Sequence, residues 1–177
     1  MHFDIRHHSD HWRATLSCDT QFNHHLIAAF EQAAAQPRAQ SHFFSGRFEN
    51  IYIDPDRLID LPPLLAALQR AATEILQRPV SETLSEYWFN RMEPGHITGL
   101  HSHDNDDEVL SVVYYLKVPR NSGNLVLHTP KKMVIRPRAG DAIFFDPALP
   151  HEVTKNNSDE TRLSLALNFG PVGKSTI

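Results

Sequence analysis

Ile97-Thr98-Gly99-Leu100-His101-Ser102-His103 has strand character and runs at once into the acidic stretch Asp104-Asn105-Asp106-Asp107-Glu108. Side chains alternate across a strand with a period of two, so a strand here sets the imidazoles of His101 and His103 on one face. Such a pair can grip one metal ion. A third histidine, His151, follows about fifty residues later in Leu149-Pro150-His151-Glu152-Val153, and Arg162 lies eleven residues beyond it. A scaffold that brings these two places together is the organising expectation.

From Val80 onward, short β-branched or aromatic segments recur between turn signals: Thr83–Met92, Ile97–His103, Val109–Val118, Asn124–His128, Met133–Arg136, Ala142–Phe145, His151–Thr154 and Arg162–Phe169. Two amphipathic helices precede them. In the first, Asp19 or Thr20 is a candidate cap, Phe22, Leu26, Ala29, Phe30 and Ala33 share a face, and Pro37 ends it. In the second, Asp60 caps, Pro62 and Pro63 occupy the first turn, Leu64, Leu68, Ala71 or Ala72, and Ile75 form the stripe, and Pro79 stops it. Phe3 and Ile5 alternate as a short edge strand does, His7 to Thr15 shows little pattern, and Ser41 to Asp54 reads as a loop and a short strand. The expected fold class is mainly β with N-terminal helices, a jelly roll or barrel backed by two amphipathic helices. One domain is expected over 1–177, with 1–80 as helical support and 81–171 as the roll.

A chain of 177 residues can bury a real core without disulfides. Its formal charge of −4 gives no global attraction for nucleic acid or anionic membrane, and no apolar run is long enough to span a bilayer. The single cysteine, Cys18, and an N-terminus without an apolar signal core point to the cytoplasm. Of the twelve histidines, those at 2, 7, 8, 11, 24 and 25 lack strand-paired spacing and read as a solvated face. His101, His103 and His151 would leave coordination positions open for a substrate or dioxygen.

The order of several short words resembles the iron(II)- and 2-oxoglutarate-dependent oxygenases over about Tyr87 to Pro171. These words are His101-Ser102-His103, Ser111-Val112-Val113-Tyr114-Tyr115-Leu116, Gly140-Asp141-Ala142-Ile143-Phe144-Phe145, Pro150-His151-Glu152-Val153 and Arg162-Leu163-Ser164. Small bacterial and phage-type oxygenases with a His-x-His strand look most similar, and prolyl hydroxylases more distantly. The resemblance implies a double-stranded β-helix, with Fe(II) as cofactor and 2-oxoglutarate and O2 as co-substrates. It implies hydroxylation or another oxidation of a C–H bond, with succinate and carbon dioxide released. His101 and His151 match the iron histidines, and Arg162 matches the residue that pairs with the distal carboxylate of 2-oxoglutarate. Ser164, on the same strand face as Arg162, can add a hydroxyl donor. Tyr115 and Asn90 match co-substrate positions of related enzymes.

The family pattern departs at one position, because a carboxylate normally stands where this chain has His103. Parity favours His103 as third ligand; Asp104, the nearest carboxylate, would need a bulge at the strand end. Trp88, Arg91, His128 and Arg47, with His96, Arg136 and Arg138, are candidate mouth residues, and the arginines suit a small carboxylate-bearing molecule, an amino acid or a peptide. No nucleic-acid or membrane partner is expected, and a homodimer is left open. Two other readings stay open: a cupin-like three-histidine metalloenzyme that does not use 2-oxoglutarate, and a non-catalytic metal- or ligand-binding roll.

Overall fold

The computed structural model describes residues 1–17, 20–44, 46–82, 87–103 and 107–171. Cys18, the cap candidate Asp19, the start of the Thr83–Met92 segment and the alternative ligand Asp104 lie outside the described residues. Strands β1 (His2–His8) and β2 (His11–Ser17) precede helix α1 (Thr20–Ala33), and β3 (Ala39–Phe44) and β4 (Arg47–Tyr52) precede helix α2 (Leu61–Leu76). The remaining strands are β5 (Val80–Glu82), β6 (Trp88–Met92), β7 (Thr98–His101), β8 (Leu110–Lys117), β9 (Leu125–Leu127), β10 (Met133–Ile135), β11 (Asp141–Phe145), β12 (His151–Val153) and β13 (Arg162–Pro171). A major sheet runs β1-β2-β11-β8-β13-β6-β4-β3, with β5 on β13, and a minor sheet runs β10-β9-β12-β7. This is the expected jelly roll, and both helices lie on the outer face of its major sheet.

Residues 1–80 contribute more to the roll than helical support. They supply β1 to β4. The segment that showed little pattern is β2, whose buried residues, His11 on one face and Ala14 and Leu16 on the other, do not form an apolar period. Ser41 to Asp54 contains most of a hairpin in place of a loop and one strand, β3 pairing with β4 from Ala39↔Tyr52 to Phe44↔Arg47. Asp60 sits at the α2 N-cap but makes no side-chain cap bond, so Pro at the first helical positions carries the start.

Two strands show how the roll separates its faces. On β8, Leu110, Val112, Tyr114 and Leu116 pack in the core under the helices, while Ser111, Val113 and Tyr115 face the interior between the sheets. On β13, Leu163, Leu165, Leu167 and Phe169 join the helical core, and Arg162, Ser164, Ala166 and Asn168 line the interior. The adjacent Tyr114 and Tyr115 therefore belong to different compartments. The Tyr114 hydroxyl donates to Asn23 Oδ1 of α1 at 2.7 Å and its ring meets Phe3 edge-on. Tyr114→Phe should cost about 1 kcal/mol in urea unfolding, because it leaves a half-buried acceptor without its donor. Among the described residues, no helix is long and apolar enough to cross a membrane.

Candidate metal centre and its cavity

β7 and β12 are neighbours in the minor sheet, and their register places His101 directly opposite His151. The two rings lie 4.2 Å apart, and His103 is 5.1 Å from the first and 5.3 Å from the second. One ligand atom from each of the three falls within 4.8 Å of the others. His103 stands just past the end of β7, where its backbone N–H donates to Pro147 O at 2.8 Å and keeps the period-two alternation in place.

The orientation of two rings is fixed from behind. His101 Nδ1 is 2.8 Å from Gly99 O and His151 Nδ1 is 2.9 Å from Leu149 O. A carbonyl can only accept, so each Nδ1 carries the proton and each Nε2 keeps its lone pair for a metal. Burial, with His101 beside it, pushes the His151 pKa down to about 3, so its ring is neutral and ready to ligate. Trp88 and Phe145 close the flanks, with ring centres 5.5 Å from His103 and 4.8 Å from His151. Three imidazole nitrogens this close fit iron(II) or a similar divalent ion.

The triad opens into a cavity of about 320 Å³ that also reaches Arg162, Ser164 and Tyr115. Arg162 is 1% exposed, and its Nη1 donates to Gly123 O at 2.9 Å and to Ser122 O at 3.4 Å. Its Nε has no hydrogen-bond partner, and among the described residues no carboxylate pairs with it. The guanidinium lies 5.0 Å from the centre of the Tyr115 ring, and the buried Tyr115 hydroxyl interacts with it. Burial lowers the Arg162 pKa and raises that of Tyr115. A buried cation with open donors and no counter-ion is costly unless an anion arrives.

Gly123 makes the cradle. Its φ is +94°, and a Cβ there would sit 2.3 Å from Thr154 O and 3.4 Å from Arg162 Nη1. The Thr154 contact is with backbone and cannot yield cheaply. Gly123→Ala should therefore destabilise the fold by about 1–3 kcal/mol and, by displacing the Gly123 carbonyl, weaken any anion held by Arg162; thermal unfolding and co-substrate titration read the two effects separately.

Asn90 and Trp88 also line the cavity. Both amide hydrogens of Asn90 are taken, Nδ2 donating to Glu49 O at 2.9 Å and to Asn50 Oδ1 at 3.0 Å, so it joins β6 to β4. The other proposed mouth residues do not line it. Arg91 is on the opposite face of β6 and pairs with Glu31 and Glu93 at 3.8 and 3.7 Å. Arg47 is held by Glu49 at 3.2 Å and by Ile97 O at 2.9 Å. His128 follows β9 and meets Glu152 Oε1 at 3.0 Å. His96 accepts from Glu93 N at 3.0 Å, and Arg136 and Arg138 lie on a different cleft. In their place the β3–β4 hairpin supplies His42, Phe43, Phe44, Glu49 and Asn50, and β8 and β13 supply Ser111 and Asn168. Phe43 is 67% exposed at the rim, and His42 has a φ of +56°, unusual for a side chain other than glycine.

Residues 87–170 match the model of the 2OG-Fe(II) oxygenase superfamily. No curated protein matches the chain in sequence. Among solved structures, the α-ketoglutarate-dependent carbocyclase SnoK from nogalamycin biosynthesis is similar with a TM-score of 0.75 and 14% identity, covering 92% of this chain and 79% of that one. The epimerase SnoN, solved with Fe3+, α-ketoglutarate and nogalamycin RO, is similar with a TM-score of 0.74 and 15% identity over 92% and 79%. A prolyl-4-hydroxylase from Pseudomonas putida is similar with a TM-score of 0.67 and 22% identity over 93% and 89%. These likenesses describe the fold. Residues 87–170 thus match the 2OG-Fe(II) oxygenase superfamily, whose members use Fe(II), 2-oxoglutarate and O2.

Proposed function

We propose that this protein is an Fe(II)/2-oxoglutarate-dependent dioxygenase that hydroxylates a C–H bond of a small carboxylate-bearing molecule, an amino acid or a peptide, releasing succinate and carbon dioxide. The reading takes 1–177 as one oxygenase domain working in the cytoplasm. The observation that carries it is Arg162, a buried guanidinium with no carboxylate partner among the described residues, opening onto the same cavity as the three histidines.

In this reading His101, His103 and His151 hold the metal through one ring nitrogen each. Arg162 receives the distal carboxylate of 2-oxoglutarate by charge-assisted bonds, with the hydroxyls of Ser164 and Tyr115 beside it. Bound iron supplies the electron-transfer and dioxygen chemistry that no side chain offers. The protein's part is to orient and to exclude water: Leu125, Phe145 and Val153 make the cavity wall apolar between the metal ligands and Arg162. About 320 Å³ is near the lower end for ligand pockets, which suits a co-substrate and a small molecule or a single peptide side chain. Trp88 and the aromatic rim of β3 are the surfaces offered to that substrate.

The test is uncoupled turnover. Purified protein with iron(II), ascorbate and 2-oxoglutarate is expected to form succinate and, without oxygen, to show the visible charge-transfer absorption of an iron–2-oxoglutarate chelate. Absence of both would sink the reading. The all-histidine triad favours a second one, a three-histidine metalloenzyme independent of 2-oxoglutarate, which requires specific iron binding with neither signal.

A further inference from the structure

A second cleft, of about 500 Å³, shares no residue with the histidine cavity. Its polar lining is wholly basic, made of His8, His11 and Arg13 on the β1–β2 hairpin and Arg136 and Arg138 after β10. This gathers two features that the oxygenase site does not use, the N-terminal histidines and the Arg136-Pro137-Arg138 turn. His11 is 6% exposed, yet its Nδ1 has no hydrogen-bond partner, and neither does the buried Nε of Arg13. The His8 ring stacks on His11 at 4.7 Å, nearly parallel.

The two walls are already fastened together, because Arg13 Nη2 donates to Arg136 O at 3.0 Å. The nearest buried carboxylate, Asp141, does not line the cleft: it accepts from Thr15 Oγ1 at 3.1 Å and from Arg138 N at 2.9 Å, and pairs with Arg13 Nη1 at 3.8 Å. Asp10, in the hairpin turn, accepts from Ser9 Oγ. A cleft lined by two imidazoles and three guanidiniums, with no carboxylate among its lining residues, favours an anion.

We propose that this cleft binds the phosphoryl group of a small ligand. Arg136 and Arg138 donate to it from one wall and the His8 and His11 imidazoles from the other, with Arg13 adding charge beside them. Donors converging from two walls suit a tetrahedral oxyanion better than a planar carboxylate, and the volume leaves room for an ester or a second phosphate.

The experiment titrates the wild-type protein with inorganic phosphate, pyrophosphate, a nucleoside monophosphate and acetate, following the imidazole NMR signals of His11 and the Nε–H signal of Arg13. Saturable shifts at both residues are expected with the phosphates and not with acetate; tighter binding of pyrophosphate or the ester than of free phosphate would identify the larger ligand. Arg136→Ala and Arg138→Ala should each weaken binding by about tenfold, the loss typical of one charge-assisted bond. Because both side chains are exposed, the double variant should fold and keep wild-type thermal stability. No saturable shift at His11, equal binding of acetate, or undiminished binding by the folded double variant would each overturn the proposal.

Discussion

Arg162→Ala is expected to abolish useful 2-oxoglutarate binding while leaving iron(II) binding intact. Truncating one partner of a buried charged contact costs about 2–5 kcal/mol, which at about 1.4 kcal/mol per tenfold is a loss of roughly 30- to 3,000-fold in affinity. The fold should suffer less, for two opposing reasons. The guanidinium gives up its bonds to Gly123 O and Ser122 O, but a desolvated cation without a counter-ion is also removed. Arg162→Lys keeps the charge and loses the planar fork, so an intermediate affinity is expected. Anaerobic titration of the iron-loaded variant, read by the charge-transfer band, measures the loss. An unchanged 2-oxoglutarate affinity would remove Arg162 from the site and favour the three-histidine reading.

The second large effect concerns the triad. His151→Ala takes away the most deeply buried of the three proposed ligands, and iron(II) affinity should fall by more than the tenfold to hundredfold that follows loss of an outer-shell partner. His103 gives the sharper result. Three neutral imidazoles leave a divalent ion with its full charge, so a dianionic co-substrate gains more there than at a centre with a carboxylate ligand. His103→Asp should therefore tighten iron(II) and weaken 2-oxoglutarate, whereas His103→Ala should weaken iron(II) alone. If His103→Ala bound iron like the wild type, His103 would not be a ligand, and Asp104 would take its place.

The roll was legible because its parts are local and ordered. Each strand from β6 to β13 falls within or beside a short apolar segment with turn signals at its ends, and the period of two set His101 beside His103 and Arg162 beside Ser164 before any contact was known. Position across the fold was less legible. Glu49, Asn50 and the rim phenylalanines come from a hairpin whose pairing is a tertiary fact, and nothing in their spacing joins them to His101. Gly123 carries no signal until Thr154 is known to pass 2.3 Å from where its Cβ would be. Arg91 is a different case. It lies three residues from Trp88 on one strand, so the two face opposite ways, and the parity argument applied to the histidines would have separated them.

The alternation along β8 and β13 has a consequence for how the molecule can change. Fold stability is written in one set of positions, Leu110, Val112, Tyr114 and Leu116 with Leu163, Leu165, Leu167 and Phe169, and cavity chemistry in the residues between them. A library confined to Val113 and Ala166, with the buried hydrogen-bonded pair Ser111 and Asn168 kept, should thus vary substrate preference while most members keep a near-parental melting temperature. The same number of changes on the intervening positions should mostly fail to fold. Neighbouring codons in these strands answer to different selective pressures, which leaves new specificities within reach of single substitutions that spare the scaffold.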